Sequence, residues 1–452
     1  PPMRSAGLLC LVFTAVWGMS TQHNQELWGY WENWVDVTWW QNNMPGNCLA
    51  GCVVPEAFMR KVAPYNVVDY GFLFLTGNPQ PEQLDCHDPS KCPVWDGKAI
   101  YAAKSGMQGA TVVDATTNLT SLTPGIVAIS EFCRLARQGP GTPKRCVATL
   151  GGWSDWARLG SVANAKSLAQ LLAKLVQYSF LDGIDFDFEH LTPFNKLDAG
   201  HVEFAAYATL LNETRYLLNT QVAASWRESA IALADVLNAT YNHMPDWKRK
   251  QSFFYPTNVQ YLHEVASNPV PSFSLSYTTR FNAFVDPKHP FNYLLPSSPV
   301  PNTTYATDNE GTRLWSSIRH SVDTINVMAY DAGSPAGPLK LNFTKILENF
   351  LAGGVPPRMI NLGFEPGEQA GGGVWEGMTA DVVEETWAKS EFGGAMIWAV
   401  NPNAQVLPKA AADAPLLAAK FNKLLRPTYP YTPTPNFTKC DPTTGWLPLI
   451  DE

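Results

Sequence analysis

The segment Leu181-Asp182-Gly183-Ile184-Asp185-Phe186-Asp187-Phe188-Glu189-His190 sets three carboxylates two residues apart. In an extended strand, residues two apart share a face. Asp185, Asp187 and Glu189 then point one way, and Ile184, Phe186 and Phe188 the other. With the apolar set packed under helices, the acidic set faces a desolvated interior, where burial and mutual repulsion both raise carboxyl pKa values. Glu189 comes last along the strand, so it is expected at the open end as a protonated general acid. Asp182 has the opposite parity and is expected to hold the strand–loop junction.

Other chemistry can be weighed against this. A solvated edge strand also alternates apolar with acidic residues, but like charge repeated on one face is poor surface design. A calcium loop counted from Asp185 needs glycine at its sixth position and glutamate at its twelfth, where the chain has His190 and Lys196. The metal-binding Asp-x-Asp of a sugar transferase stays open from this segment alone.

A strand of this kind needs neighbours. Val147-Ala148-Thr149-Leu150 reads as a buried strand broken by Gly151-Gly152, and Leu168, Leu171, Leu172, Leu175 and Val176 then recur at helical spacing. Strand, helix and acidic strand form one βα unit, which implies parallel strands. Further strands are expected at Leu27–Trp31, Val67–Phe74, Phe273–Tyr277, Thr324–Tyr330, Met359–Phe364 and Ala395–Val400. Eight strands separated by helical stretches favour an α/β fold of the (β/α)8 TIM barrel type with long loops, over residues 21–425. A doubly wound open sheet is the alternative. Residues 426–452, rich in proline, read as a C-terminal tail.

Composition narrows the partner. The 452 residues carry 40 acidic and 32 basic side chains, a net charge of −8, which disfavours nucleic acid. Charged residues are 16% of the chain and aromatics 12%, with 16 tryptophans, a profile suited to a neutral ligand with flat apolar faces, such as a sugar. Tryptophans cluster at 28, 31, 34, 39 and 40 and at 153 and 156, with Trp398 at the last strand, all expected around one barrel mouth. For Trp28, Trp39 and Trp40 packing in core or loop is an equal reading.

Met3, Arg4 and the apolar run Ala6 to Gly18 resemble a secretory signal peptide over residues 1–20, too short for a membrane span. The chain is therefore expected to be secreted and extracellular, without membrane attachment, and monomeric. Loss of that segment removes Cys10 and leaves the local pairs Cys48/Cys52, Cys86/Cys92 and Cys133/Cys146, expected as disulfides, with Cys440 left over. Six Asn-x-Thr sequons, at Asn118, Asn212, Asn238, Asn302, Asn342 and Asn436, fit a glycoprotein. No Cys/His grouping has zinc spacing, and neither metal nor cofactor is expected.

The run Asp182-Gly183-Ile184-Asp185-Phe186-Asp187-Phe188-Glu189 resembles the Asp-Gly-x-Asp-x-Asp-x-Glu signature of the family 18 glycoside hydrolases, the chitinase family. Further matches follow in order along the chain. Leu150-Gly151-Gly152-Trp153-Ser154 is similar to that family's third-strand motif, and Met328-Ala329-Tyr330-Asp331 to its sixth-strand Met-x-Tyr-Asp. Met396-Ile397-Trp398 resembles its eighth-strand end, and Gly29-Tyr30-Trp31-Glu32-Asn33-Trp34 its first strand. The resemblance covers about residues 27 to 425.

It implies a retaining hydrolase in which the 2-acetamido group of the substrate, and no second carboxylate, attacks the anomeric carbon. Glu189 would protonate the glycosidic oxygen, Asp187 orient the acetamido nitrogen, Asp185 share charge and protons with Asp187, and Tyr330 donate to the acetamido carbonyl. Trp398, Asp331, Tyr30, Trp31, Trp153 and Met328 would bind sugar. The implied partner is chitin or N-acetylglucosamine oligosaccharides, cut endo-fashion at β-1,4 bonds. An endo-β-N-acetylglucosaminidase acting on N-glycan cores, and a non-catalytic chitin-binding lectin, share the scaffold. Two departures stand out. The fifth strand reads Ser274-Leu275-Ser276-Tyr277-Thr278 in place of the family's Met-Ala pair, and only about 30 residues separate the seventh strand from the eighth. That interval leaves no evident α+β insertion before the eighth strand, which implies an open groove.

Overall fold

The computed structural model describes residues 25–33, 54–77, 92–102, 110–139, 144–191, 202–246, 254–286, 309–330, 343–367 and 392–425. The expected signal segment, the C-terminal tail, Cys48, Cys52, Cys86 and Cys440 lie outside them.

Eight parallel strands close into a barrel: β1 (Glu26–Glu32), β2 (Val67–Phe74), β5 (Arg145–Gly151), β6 (Gly183–Asp187), β7 (Ser274–Arg280), β8 (Thr324–Met328), β9 (Ile360–Phe364) and β10 (Gly394–Ile397). Closure is made by β1, which pairs with β10 on one side and β2 on the other, so the open doubly wound sheet is excluded. The strands coincide with the eight apolar runs in the sequence, with ends moved by a few residues. Two further strands, β3 (Ala99–Ala102) and β4 (Thr111–Asp114), extend β2 as an antiparallel hairpin that the sequence pattern does not announce. At four residues each, they are too short to show alternation.

Helices cover the outside: α1 (Val54–Val62), α2 (Pro124–Gln138), α3 (Val162–Ser179), α4 (Val202–Leu217), α5 (Ala223–Asn242), α6 (Phe254–Ser267), α7 (Glu310–Ile318), α8 (Phe343–Ala352) and α9 (Pro408–Leu425). Their starts are local chemistry. The Thr123 hydroxyl accepts the Ile126 amide at 3.2 Å ahead of Pro124, and the Ser161 hydroxyl accepts the Asn164 amide at 3.1 Å. Asn309 and Thr312 cap α7 reciprocally. A π-helical turn, Leu218–Val222, joins α4 to α5 without a break. In α3 the buried positions include Leu168, Leu171, Leu172, Leu175 and Val176, the apolar set of the sequence.

Strand parity divides the apolar residues into two cores. Outward residues such as Leu27, Val68, Ile184 and Phe186 pack with the helices. Inward ones, Trp28, Tyr30, Val67, Val147, Met328 and Met396, fill the barrel. The Cys133–Cys146 disulfide, with Cα atoms 5.5 Å apart, ties α2 to β5 as the local spacing predicted. Among the described residues no helix is long and apolar enough to cross a membrane.

Two glycines fix the acidic strand against its neighbours. A Cβ on Gly183 would lie 1.8 Å from the Ser274 carbonyl oxygen on β7, and one on Gly151 (φ 115°) would lie 2.2 Å from the Asp187 carbonyl oxygen. The second contact is occupied by a hydrogen bond, Gly152 N–H to Asp187 O at 2.7 Å. Gly183→Ala must therefore part β6 from β7. We expect it to destabilise the fold by at least about 2 kcal/mol, read as a lowered thermal midpoint. An unchanged midpoint would show that the two backbones can separate there without loss.

Candidate functional site

At the centre of the barrel Asp185 is fully buried and surrounded by donors. Its carboxylate accepts from the Tyr30 hydroxyl at 2.9 Å and the Thr278 hydroxyl at 2.8 Å, and from the Ser276 hydroxyl. Thr149 Oγ1 and Asn326 Nδ2 each stand 3.4 Å away. Asn361 Nδ2 donates to Asn326 Oδ1 at 3.1 Å and so orients that amide. Burial raises the Asp185 pKa, and the hydroxyl hydrogen bonds work against that rise.

One rung outward, Asp187 is also buried, and its Oδ1 has no hydrogen-bond partner. Its pKa lies well above the ordinary aspartate value, driven first by burial, then by the Glu189 and Asp185 charges, with Arg280 pulling the other way. β6 ends at Asp187, two residues short of the expected strand, so Glu189 stands just past it in a turn at the rim. Its carboxylate is 3.4 Å from the Arg280 guanidinium, with 12% of the side chain exposed. Asp182 has the opposite parity, as expected, and accepts from Arg137 at 2.7 Å and from the Cys146 amide at 2.7 Å.

Aromatic groups flank this rim. Arg280 lies 5.1 Å from the Trp153 ring centroid, and Trp153 is 55% exposed. His190 bonds the Trp153 carbonyl at 2.6 Å and stacks on Trp156 at 3.5 Å. Burial takes its pKa down to about 4, so the ring is neutral near neutral pH. Across the mouth Trp398 stacks on Phe72 at 5.1 Å and meets Tyr30 edge-on at 6.0 Å. Met328 and Tyr330 pack in the same inner cluster as Tyr30, with Trp398 against it. A cavity of about 100 Å³ opens between Trp153, Glu189, His190, Thr278, Arg280 and Met328.

Two assignments change, those of Trp31 and Tyr30, and Trp28, open between mouth and core in the sequence, falls in the core. Trp31 points outward and is buried against Phe58 and Phe132, so it packs the barrel wall and does not face a sugar. The reason is parity: Trp31 follows the inward Tyr30 by one residue. Trp28 is buried among Val67, Val147 and Met396, early in its strand and away from the mouth. Tyr30 is buried with its hydroxyl on Asp185, which makes it a support for the carboxylate and removes it from the sugar-contacting set. Asp331, Trp34, Trp39 and Trp40 lie outside the described residues.

No family model and no curated protein matches this chain. Among solved structures it is similar to a family GH18 chitinase from Chromobacterium violaceum, at 13% identity over 89% of this chain and 84% of that one, with a TM-score of 0.48. A fungal endo-β-N-acetylglucosaminidase from glycosyl hydrolase family 18 is similar at 13% identity, over 89% of this chain and 99% of that one, with a TM-score of 0.45. So is a xylanase and α-amylase inhibitor protein from Scadoxus multiflorus, at 15% identity over 87% and 98%, with a TM-score of 0.41. At such identities the likeness concerns the barrel alone, and function has to be argued from the side chains.

The residues that hold Asp185 were not singled out in the sequence, although a signal existed. Asp69, Thr149, Ser276, Thr278, Asn326 and Asn361 are polar residues within otherwise apolar barrel strands, each fully or almost fully buried. Arg280 gave no signal beyond a basic residue following a run of threonines. Among the described residues no group of three or more His, Cys, Asp or Glu side chains is arranged to hold a metal ion.

Asp155 anchors the tryptophan loop beside the site. It is buried, accepts the Leu75 amide at 2.7 Å and the Ala157 amide at 3.3 Å, and has its pKa raised by burial to about 7. The unfolded chain loses this proton near the ordinary value of 3.8, and the folded chain keeps it until about 7. The unfolded state thus binds fewer protons between those limits, so stability falls as pH rises through them. Asp155 alone accounts for a loss on the order of 4 kcal/mol if the shift is fully expressed. Thermal unfolding at pH 4.5 and 7.5 should show Asp155→Asn losing less stability than the parent chain; equal losses would remove Asp155 as a cause.

Proposed function

We propose that this chain is a secreted, retaining glycoside hydrolase that cleaves β-1,4-linked N-acetylglucosamine polymers with help from the substrate's own 2-acetamido group. The observation that carries the reading is the ladder of Asp185 and Asp187 on one inward line of β6, buried, continued by Glu189 in the turn just past the strand at the rim. The family 18 resemblance of that segment and of the Leu150, Met328 and Met396 motifs supports it. Exposed aromatic surface at Trp153, with half-buried Trp398 across the mouth, suits a flat, neutral sugar ring.

In this mechanism Glu189 gives its proton to the glycosidic oxygen as the bond to the anomeric carbon breaks. The acetamido carbonyl oxygen attacks the same carbon and closes an oxazolinium ring. Asp187 takes the acetamido N–H as a hydrogen bond and spreads the positive charge that develops there. Arg280, 3.4 Å from Glu189, stabilises the carboxylate left behind. Glu189 then draws a proton from water, which opens the ring from the face the leaving group vacated, so configuration is retained. Tyr330 supplies a hydroxyl for the acetamido oxygen. Asp185, held by its cage of hydroxyls, offers Asp187 a neighbouring negative charge.

Glu189→Gln tests the reading directly. Turnover of chitin oligosaccharides should fall by about 100- to 10,000-fold, while oligosaccharide binding, followed by tryptophan fluorescence, persists. Parent-like turnover in this variant would sink the assignment. Running the parent enzyme on chitin oligosaccharides beside an N-glycosylated protein separates chitin cleavage from cleavage of the N-glycan core. Binding without turnover of either would leave a lectin.

A further inference from the structure

The ladder has a neighbour that the mechanism above does not use. Asp69 points into the barrel from β2, is 0% exposed, and lies opposite Tyr30 in the β1–β2 register. One of its oxygens, Oδ1, lies 2.6 Å from Thr149 Oγ1, and that hydroxyl is in turn 3.4 Å from Asp185 Oδ2. Its other oxygen, Oδ2, is buried without a hydrogen-bond partner. A carboxylate buried with one oxygen unpartnered carries a large desolvation cost, and a neutral carboxyl avoids most of it.

The two aspartates joined by Thr149 are treated very differently. Asp185 has donors from Tyr30, Ser276, Thr278 and Asn326 as well as Thr149, the environment of an anion. Asp69 has Thr149 only. A hydroxyl carries one proton, so when Thr149 donates to Asp185 it must accept from Asp69. The chain Asp69 O–H to Thr149 to Asp185 gives Oδ1, the Thr149 hydroxyl and Asp185 a consistent order of donors and acceptors with one proton on Asp69, and leaves Oδ2 an uncharged carbonyl oxygen.

We propose that Asp69 is a positioning residue of the ladder: a fourth buried carboxyl that carries its own proton and, through Thr149 and by its charge when that proton leaves, decides where the remaining protons sit. The proposal rests on reading the ladder as the catalytic machinery. Burial raises the Asp69 pKa well above the ordinary value, as does the Asp185 charge, while the Thr149 hydrogen bond lowers it. The Asp69 charge in turn raises both Asp187 and Tyr30. The titratable groups facing Asp69 are Tyr30 from β1 and Asp185 and Asp187 from β6. Polar residues complete the ring: Thr149 from β5, Ser276 and Thr278 from β7, Asn326 from β8 and Asn361 from β9.

Removal of this rung has a signed consequence. With Asp69 ionised, the last ladder proton leaves against one more negative charge; with an amide there, it leaves more easily. Infrared spectroscopy of the full chain in heavy water reads this without reference to activity, through the C=O band of protonated buried carboxyls across a pH titration. Asp69→Asn should remove one carboxyl from that band and bring the disappearance of the remainder about one pH unit lower. The alkaline limb of kcat/KM on chitin oligosaccharides should move down by the same amount, a change that a purely structural role would not produce.

An unchanged band in Asp69→Asn overturns the proton assignment. A band that loses one carboxyl without any shift of the rest overturns the positioning role. If the parent chain has no glycosidase activity, the functional reading fails, and the infrared titration still decides the fate of Asp69. Should Asp69→Asn not fold, Thr149→Val removes the hydroxyl that turns to donate to Asp69 once its proton has left, and should carry the carboxyl band to higher pH, with Thr149→Ser restoring it. No movement in Thr149→Val also overturns the proposal.

Discussion

Carboxylates inside a closed barrel face a cost that no single contact offsets, because burial and like-charge repulsion both oppose ionisation. In this protein that cost is spread over the interior ring of side chains. Asp185 remains tolerable because hydroxyls from β1, β5 and β7 and an amide from β8 converge on it. Asp187, with an unpartnered oxygen, lies between it and Glu189 and is driven toward its neutral form. The rungs thereby differ: hydroxyl hydrogen bonds oppose the rise at Asp185, neighbouring charges add to it at Asp187, and Glu189 lies beside Arg280 at the rim. A chain of groups with separated proton affinities is what acid–base chemistry near neutral pH requires.

The barrel ends supply the remaining geometry. Glu189, Tyr330 and Trp398 each sit one or two residues beyond the last paired residue of their strands, where the ladder has stopped and side chains reach the mouth. Close backbone contact makes this arrangement rigid. Gly151 and Gly183 let β5, β6 and β7 approach around the acidic strand, and the Gly152 amide holds the Asp187 carbonyl. Asp155 then ties the tryptophan loop to the end of β2 through the Leu75 amide. The mouth is therefore built on strand ends and buried anchors, which suits the proposed binding of a sugar ring in one orientation.

Period-two alternation was enough to read the acidic strand, because Ile184 and Phe186 face the helices just as their spacing demands. The eight strands were equally legible, since a parallel strand buried on both faces is a short apolar run bounded by glycine or proline. The same alternation applies to β1. There the clustering of Trp28 and Trp31 and the resemblance that pairs Tyr30 with Trp31 both ignore parity, in which Trp31 differs from the other two. The hairpin β3–β4 was too short to show any period.

What the sequence by itself determined is local: the strand and helix set, the order of carboxylates on one face, the helix caps and the Cys133–Cys146 pair, all of which depend on residues near one another in the chain. Tertiary structure alone decided what each carboxylate meets. Tyr30 is 155 residues from Asp185, Ser276 is 91 away, and Asn326 is 141 away. The same closure brings Arg280 to Glu189 and Thr149 between Asp69 and Asp185. Proton affinity depends on surroundings within a few ångströms, and in a closed barrel those surroundings come from strands far apart in the chain.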